Sequence, residues 1–400
     1  MLRRLAYMFV ATVALCGCVD DSFHGTSDSL YGDDSMDIPV VVALGDPSGG
    51  IVKGAGAIDN LEEWSGSTIY VYAFGQDQDV SYRTTSSSNA LSCLVDGSRD
   101  SKGSVAGKKA RLDATDSYAI WDKEDGKMTY PSGDNSKWTY DFFAYYIDDI
   151  QLGSSAVKRY DDAVAVDIEI DGSQDVMSSK AQIAERQLKT FSDREQALIK
   201  ENQFSYYTAQ RNIVPTFVFN HHLVRLEFEI HAGVILGDRK NLTIHGLEVK
   251  SRCKASFTVA AKNEEQMGLV FKDDMKIMPL TEEGGAPLKD DEYVVNVRPS
   301  TSVAPQSFKL GSCLLVAPAV EYDAYIVMSE RTADGTLSIS KARTPLTITY
   351  PEGGYFRSGN QYKVKLTVYS ANNVSASVEM LPWHHGGDIS MDMENDKPIL

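Results

Sequence analysis

Two pairs of neighbouring histidines, His221-His222 and His384-His385, are the residues of this chain best suited to binding a metal ion. Neighbouring residues on a β-strand point to opposite faces, so neither pair can hold one ion by itself. The alternative is that one histidine of each pair meets the other in space. Two acidic pairs, Glu62-Glu63 and Asp273-Asp274, lie among polar residues and indicate solubility. We predict no metal site.

Catalytic signatures are missing from the sequence. It contains no Walker loop, dinucleotide fingerprint, Gly-x-Ser-x-Gly elbow or His-Glu-x-x-His helix. Each of these motifs places a phosphate cradle, a nucleophile or a catalytic metal where its reaction needs it. We therefore predict that the chain is not an enzyme and takes no cofactor.

The overall charge argues against a nucleic-acid partner. The net charge is −17 over 400 residues, and the longest basic cluster is Lys108, Lys109 and Arg111. A protein that neutralises phosphates needs a basic face, which this sequence does not offer. With 42% hydrophobic residues, the chain has enough apolar content for two ordinary cores.

The amino terminus carries the pattern of an export signal. Arg3 and Arg4 precede an uncharged apolar run, 5–15, which is too short to span a bilayer as a helix. The following Leu15-Cys16-Gly17-Cys18 resembles a bacterial lipobox, in which the thiol of Cys18 accepts diacylglycerol. An ordinary secretory signal with incidental cysteines is the alternative. We predict a lipoprotein signal peptide over residues 1–18.

Beyond the signal, three widely spaced cysteines remain: Cys93, Cys253 and Cys313. An odd set at such spacing matches neither a disulfide framework nor a zinc site. Three free thiols are the prediction, and one bridged pair in an oxidising periplasm is the alternative.

An acidic leader follows, over residues 19–53. It contains no lysine or arginine before Lys53, and it holds one compact apolar segment, 38–44, that can pair as a strand. Lys53 is thus the first place where a trypsin-like protease can cut the exported chain, between Lys53 and Gly54. The alternative is an ordinary loop lysine.

In the remaining chain, apolar and polar residues alternate as they do in β-strands. Val224, Leu226, Phe228 and Ile230 are separated by charged residues, which indicates a half-buried antiparallel strand. The run 69–74 is apolar on both faces, as in a central strand. On one face of a further strand lie Trp138, Tyr140, Phe142, Ala144 and Tyr146. We interpret the many tyrosines as core, with a sugar-binding platform as the alternative. Helical spacing predicts one or two surface helices within 180–204.

These patterns predict an all-β fold with minor helix, in two tandem antiparallel β-sandwich domains. The predicted bounds are 54–213 for the N-terminal domain and 214–400 for the C-terminal domain. At the end of the chain, 362–368 and 374–380 alternate across a short turn and predict a hairpin. Past Pro382 and two glycines, Ile389, Met391 and Met393 alternate with polar residues.

Several segments together resemble the fimbrillin family, the Mfa-like subunits of type V pili in Gram-negative anaerobes. They are 170–181, 220–230, 311–320, 358–362 and 383–389. The resemblance implies transthyretin-like sandwiches, a lipid-anchored precursor in the outer membrane, and a cell-surface fimbrium built from pilus subunits. In that family a protease removes the leader, often after arginine, whereas this chain offers lysine.

The function we predict is a stalk or tip subunit assembled by protease-triggered strand addition. Ile389, Met391 and Met393 are the candidate donor strand, filling the groove that the leader near 40–42 vacates in a neighbouring subunit. Two alternatives stay open. One is a monomeric surface lipoprotein that acts as an adhesin for a host surface or as a glycan-binding module. The other is an uncut pilus anchor.

Overall fold

The fold is known from a computed structural model that describes residues 38–40, 42–44, 67–76, 107–113, 118–121, 129–130, 138–148, 156–160, 162–289, 292–299, 305–381 and 383. Within these residues the chain forms β-strands in several sheets and a few short helices. The prediction of an all-β fold with minor helix is confirmed.

The N-terminal half comprises the described residues up to His221. Its strands are β1 (Ile38–Pro39), β2 (Val42–Leu44), β3 (Thr68–Gln76), β4 (Lys108–Asp113), β5 (Tyr118–Trp121), β6 (Thr129–Tyr130), β7 (Thr139–Ile147), β8 (Val157–Arg159), β9 (Ala163–Glu169), β10 (Val176–Lys180), β11 (Thr216–Phe217) and β12 (Asn220–His221). Between β10 and β11 lie helices α1 (Glu185–Leu188), α2 (Asp193–Glu201) and α3 (Tyr206–Ala209).

The C-terminal half comprises the described residues after His221. Its strands are β13 (Val224–Ala232), β14 (Lys240–Arg252), β15 (Lys254–Ala261), β16 (Gly268–Phe271), β17 (Met275–Pro279), β18 (Val294–Val297), β19 (Ser307–Val316), β20 (Glu321–Arg331), β21 (Leu337–Thr349), β22 (Gln361–Ser370) and β23 (Asn373–Leu381). Short 3-10 turns occur at Glu264–Gln266, Glu283–Gly285 and Pro351–Gly353.

The largest sheet has eight strands in the order β11-β2-β5-β4-β3-β7-β10-β12. Its central strand β3 is buried on both faces, as the apolar run 69–74 predicts. In the neighbouring β7 the whole run 142–147 is buried, so Phe143 and Tyr145 on the opposite face belong to the core as well. Aromatic rings pack across this pair, and Tyr70 stacks on Tyr145 with centroids 5.2 Å apart. The tyrosines of these two strands lie in or against the core, as predicted.

Two sheets form the body of the C-terminal half. One has the order β19-β13-β22-β23, and the other has the order β17-β14-β20-β21 with β18 also on β14. In β13 buried and half-buried residues alternate along the whole strand, which confirms the strand that the sequence predicts. It is antiparallel to β19 but parallel to β22, so the prediction of an antiparallel strand holds on one side only. The predicted terminal hairpin is the antiparallel pair β22 and β23.

The two halves share one further sheet, in the order β16-β15-β9-β8. Here β9 from the N-terminal half pairs with β15 from the C-terminal half, from Glu169↔Lys254 to Ala163↔Ala261. The turn that follows β9 makes two more links. Ile170 N–H donates to Cys253 O at 2.8 Å, and Leu315 N–H donates to Gly172 O at 2.8 Å. Strand pairing therefore crosses the predicted boundary at residue 213, and the domain bounds stay a prediction.

The segment 180–204 contains α1 and α2, which confirms the surface helices. Ser192 begins α2 with a capping box: its hydroxyl accepts from the Glu195 N–H, and the Glu195 carboxylate accepts from the Ser192 N–H. The outward residues 193–195 are exposed. The inward residues form a small separate core, in which Leu188, Ile199, Tyr207 and Ile213 are buried.

Candidate functional site

The residues that the sequence singles out for lipidation, cleavage and strand donation lie outside the described residues. They are Cys18, Lys53 and Gly54, and the donor candidates Ile389, Met391 and Met393. These remain predictions. What the structure does describe is the leader just before Lys53, as β1 and β2, together with the strands that receive it.

The leader strand β2 occupies an internal place in the eight-stranded sheet. On one side it is antiparallel to β5, with Val42 opposite Ala119 and Ala43 opposite Tyr118. On the other side it is parallel to β11, with Ala43 opposite Thr216 and Leu44 opposite Phe217. We call the space between β5 and β11 the leader slot. An empty slot leaves backbone groups without their ladder partners on both sides, which is costly when they are buried.

Upstream of β2 the leader is held by a second set of contacts. Val40 is 2% exposed, and the Trp121 indole N–H donates to its carbonyl oxygen at 2.9 Å. Before it, β1 pairs with β6, where Ile38 lies opposite Tyr130. The single strand that the sequence predicts over 38–44 is thus two short strands in two different sheets. The buried Val40 lies between them.

The far wall of the slot, β11, is a feature that sequence reasoning missed. It has two residues, too few to show any periodicity, and it follows Pro215. Both residues are buried: Thr216 is 3% exposed and Phe217 is 1% exposed. A two-residue strand has no signal of its own in the sequence, because its place depends on partners distant along the chain.

His221 ends β12 at the edge of the slot-bearing sheet and is buried, and the half-buried His222 follows it. His221 Nδ1 lies 2.9 Å from the Asp175 carboxylate, and its ring stacks on Trp383 with centroids 3.9 Å apart. His222 Nε2 instead lies 2.7 Å from the Ser178 hydroxyl. Burial, reinforced by the charge of His221 and opposed by that of Asp175, lowers the pKa of His222 to about 4. The two rings have different partners, as opposite strand faces require.

The loop before β10 bonds its own backbone through Gln174 and Asp175, as polar side chains in turns commonly do. The Gln174 side-chain oxygen accepts from the Asp171 N–H at 2.9 Å, and Asp175 accepts from the Val176 N–H at 2.8 Å. The second partner of Asp175, His221, gave no sequence signal, because it comes from a distant strand. Asp175 therefore ties this loop to β12 as well as closing it.

The described residues offer neither a metal-ligand cluster nor a membrane-spanning helix. They contain no group of three or more His, Cys, Asp or Glu side chains that could hold a metal ion. No helix among them is long and apolar enough to cross a membrane. Cys253 and Cys313 are both buried. Cys93 lies outside the described residues, so the set of three free thiols stays a prediction.

Comparison with known proteins gave matches among solved structures alone: no family model and no curated protein matches the chain. A fimbrial protein from Bacteroides vulgatus is 12% identical with a TM-score of 0.47, covering 87% of this chain and 99% of that one. A candidate cell adhesion protein from Bacteroides uniformis is 15% identical with a TM-score of 0.43, covering 88% and 100%. The C-terminally truncated tip fimbrial protein Mfa3 from Porphyromonas gingivalis is 11% identical with a TM-score of 0.32, covering 86% and 99%.

The names of these proteins agree with the fimbrillin resemblance of the sequence motifs. Identities of 11% to 15% and TM-scores of 0.32 to 0.47 assign no function to this chain. The function proposed below therefore rests on the sequence motifs and on the leader slot.

Proposed function

We propose that this protein is a stalk or tip subunit of a surface pilus, exported as a lipoprotein and assembled by strand addition after proteolysis. The observation that carries the proposal is the internal place of β2 between β5 and β11. β2 precedes Lys53 in the chain, and both its partner strands follow Lys53. A cut after Lys53 therefore separates one strand from the sheet and leaves every other strand of that sheet on one covalent chain.

The empty slot needs a strand from elsewhere. A strand from a neighbouring subunit restores the lost main-chain hydrogen bonds, and its alternate side chains set the register. Assembly then waits for the protease, because an uncut subunit fills its own slot. The partners of this protein are accordingly other pilus subunits. Before processing, lipid on Cys18 holds the precursor at the outer membrane.

The donor we favour is the segment with Ile389, Met391 and Met393, over its rival within 374–380. The rival segment belongs to β23, which pairs with β22 from Gln361↔Leu381 to Ser370↔Asn373. Releasing β23 would break that whole ladder. The segment 389–393 lies beyond Pro382 and Gly386-Gly387, which break any strand pattern.

The test is limited proteolysis of the folded, purified precursor with trypsin, followed by amino-terminal sequencing and gel electrophoresis. We expect one dominant product that begins at Gly54, and heat-resistant ladders that form only after the cut. Lys53→Ala is expected to abolish both. Lys109→Ala, at an exposed position of β4, is the matched control and leaves both unchanged. A ragged product pattern with an uncut Lys53-Gly54 bond contradicts the proposal and favours the uncut anchor.

A further inference from the structure

The far wall β11 meets the sheet through β2 alone, and it also has partners outside that sheet. On the side away from β2, Thr216 forms an antiparallel bridge with Gln182. The Gln182 N–H donates to Thr216 O at 2.9 Å, and the Thr216 N–H donates to Gln182 O at 3.0 Å. This pair of backbone bonds joins β11 to the segment that follows β10.

A side-chain amide adds three further hydrogen bonds. Gln187, on α1, donates through Nε2 to Val214 O at 3.1 Å and to the Thr216 hydroxyl at 2.9 Å. Its Oε1 accepts from the Val214 N–H at 2.8 Å. One partly buried glutamine therefore bonds both sides of Pro215, the residue that leads the chain into β11. Three hydrogen bonds from one rigid amide fix both the position and the direction of the chain as it enters β11.

The far end of β11 is anchored as well. The Val218 N–H donates to the Ser179 hydroxyl at 3.0 Å, and the Phe217 ring packs against Phe219 with centroids 6.1 Å apart. Ser179, Gln182 and Gln187 all follow Lys53 in the chain. The loss of the leader removes none of these contacts.

We infer that Gln187 is a positioning residue for strand exchange: it holds β11 in place as the second wall of the leader slot after the leader strand has left. The inference rests on the proposed function. With both walls fixed, an incoming strand finds an antiparallel partner in β5 and a parallel partner in β11. The two walls together set the direction and the register of the donor.

The experiment measures how the cut protein captures a strand. The probe is a fluorescent synthetic peptide covering residues 36–47 of this chain, and its binding to trypsin-cut, leader-free subunits is followed by anisotropy. We expect Gln187→Ala to weaken capture by about tenfold or more, since each lost hydrogen bond is worth up to about tenfold in affinity. Thr216→Val, which removes a single hydroxyl acceptor, is expected to weaken it only a few-fold.

Gln196→Ala is the matched control, because Gln196, on α2, donates to Phe191 O at 2.9 Å and not to β11. It is expected to capture the peptide as the wild type does. Circular dichroism of the uncut variants shows which of them are folded. If Gln187→Ala does not fold, the test is made with Thr216→Val. Equal capture by wild type and all folded variants overturns this inference alone. Failure of the wild type to capture any peptide overturns the proposed function, and the inference with it.

Discussion

A single carboxylate, Glu330 on β20, joins the two sheets of the C-terminal half. Glu330 is 5% exposed, its Oε1 lies 2.8 Å from Lys240 Nζ, and its Oε2 accepts from the Ala371 N–H at 3.0 Å. Ala371 stands in the turn between β22 and β23, and its carbonyl accepts from the Thr344 hydroxyl at 2.6 Å. Both backbone groups of that turn residue are thus bonded by side chains of the other sheet.

The ionisation of Glu330 makes this link pH-dependent. Burial by itself raises the pKa of Glu330, but the bonds from Lys240 and from the Ala371 N–H outweigh burial and lower it from 4.5. A lowered carboxylate pKa contributes stability that is present above the unfolded pKa and lost as pH falls through the folded pKa. We expect Glu330→Gln to reduce the free energy of unfolding by about 2 kcal/mol at pH 7.

Urea unfolding at pH 7, 5 and 3 checks that prediction. The difference between wild type and Glu330→Gln is expected to be constant from pH 7 to 5 and to shrink towards pH 3. Glu321→Gln, at an exposed position in the same strand, is the control and changes stability little at any pH. A difference that stays the same down to pH 3 would show that the charge of Glu330 contributes nothing.

At the scale of residues, local sequence predicted partners close along the chain and missed distant ones. Gln174 and Asp175 bond their own loop as a polar turn predicts. Gln187 gave no such signal, because its partners at 214–216 come after two further helices. A glutamine on a short helix has the same local pattern whether it faces solvent or holds a strand.

Among elements, β22 and β23 form a fixed strand pair. This pairing makes 374–380 a poorer candidate donor than 389–393. The apolar residues of β23, Val374, Ala376 and Val378, pack against the core. Each buried apolar side chain of a strand adds roughly 1.5–3 kcal/mol. In the proposed assembly, a donor strand with three such residues therefore gains enough free energy on entering the slot to hold two subunits together.

Truncation of the chain after Gly387 tests the donor. It removes Ile389, Met391 and Met393 and keeps Trp383, whose ring stacks on His221. We expect the trypsin-cut truncated protein to melt normally yet to form no heat-resistant ladders. The full-length triple substitution Asp388→Ala, Asp392→Ala and Glu394→Ala is the control and keeps the apolar face. Ladders of normal intensity from the truncated protein would move the donor to 374–380.

Strands with a long run of alternating residues were predicted well, and strands too short to alternate were not. β13 alternates over nine residues, and its burial follows that alternation throughout. Its parallel pairing with β22 was not predicted, because alternation fixes which face of a strand is buried but not which strand lies beside it. The same limit hides the leader slot: the apolar run 38–44 predicted pairing, and β5 and β11 emerge only from the fold.

In the whole molecule, the sheet β16-β15-β9-β8 joins the halves through a strand ladder with one register shift. Phe257 of β15 and Val166 of β9 lie opposite each other, and each is 0% exposed. The Phe257 ring also packs edge-on against Tyr145 of β7, with centroids 6.0 Å apart. A residue of the C-terminal half therefore belongs to the core of the N-terminal half.

This arrangement predicts that the halves unfold together. Phe257→Ala is expected to lower the free energy of unfolding by about 3–5 kcal/mol. Native-state hydrogen exchange would measure it, and peptides from β7 and from β22 are expected to lose protection by equal amounts. Tyr160→Ala, at a half-exposed position beside β8, is the control. A loss confined to β22 would mean that the halves are independent, as two tandem domains suggest.

The shared sheet also has a mechanical consequence. In a surface filament of the kind proposed above, tension within a subunit runs along every path that joins its two ends. Here the covalent chain is one path, and the ladder from Glu169↔Lys254 to Ala163↔Ala261 is a second. A force parallel to these strands would load all the hydrogen bonds between β9 and β15 at once, and it would not break them one after another. Stretching one half away from the other thus has to rupture a sheet, where a simple linker would only extend.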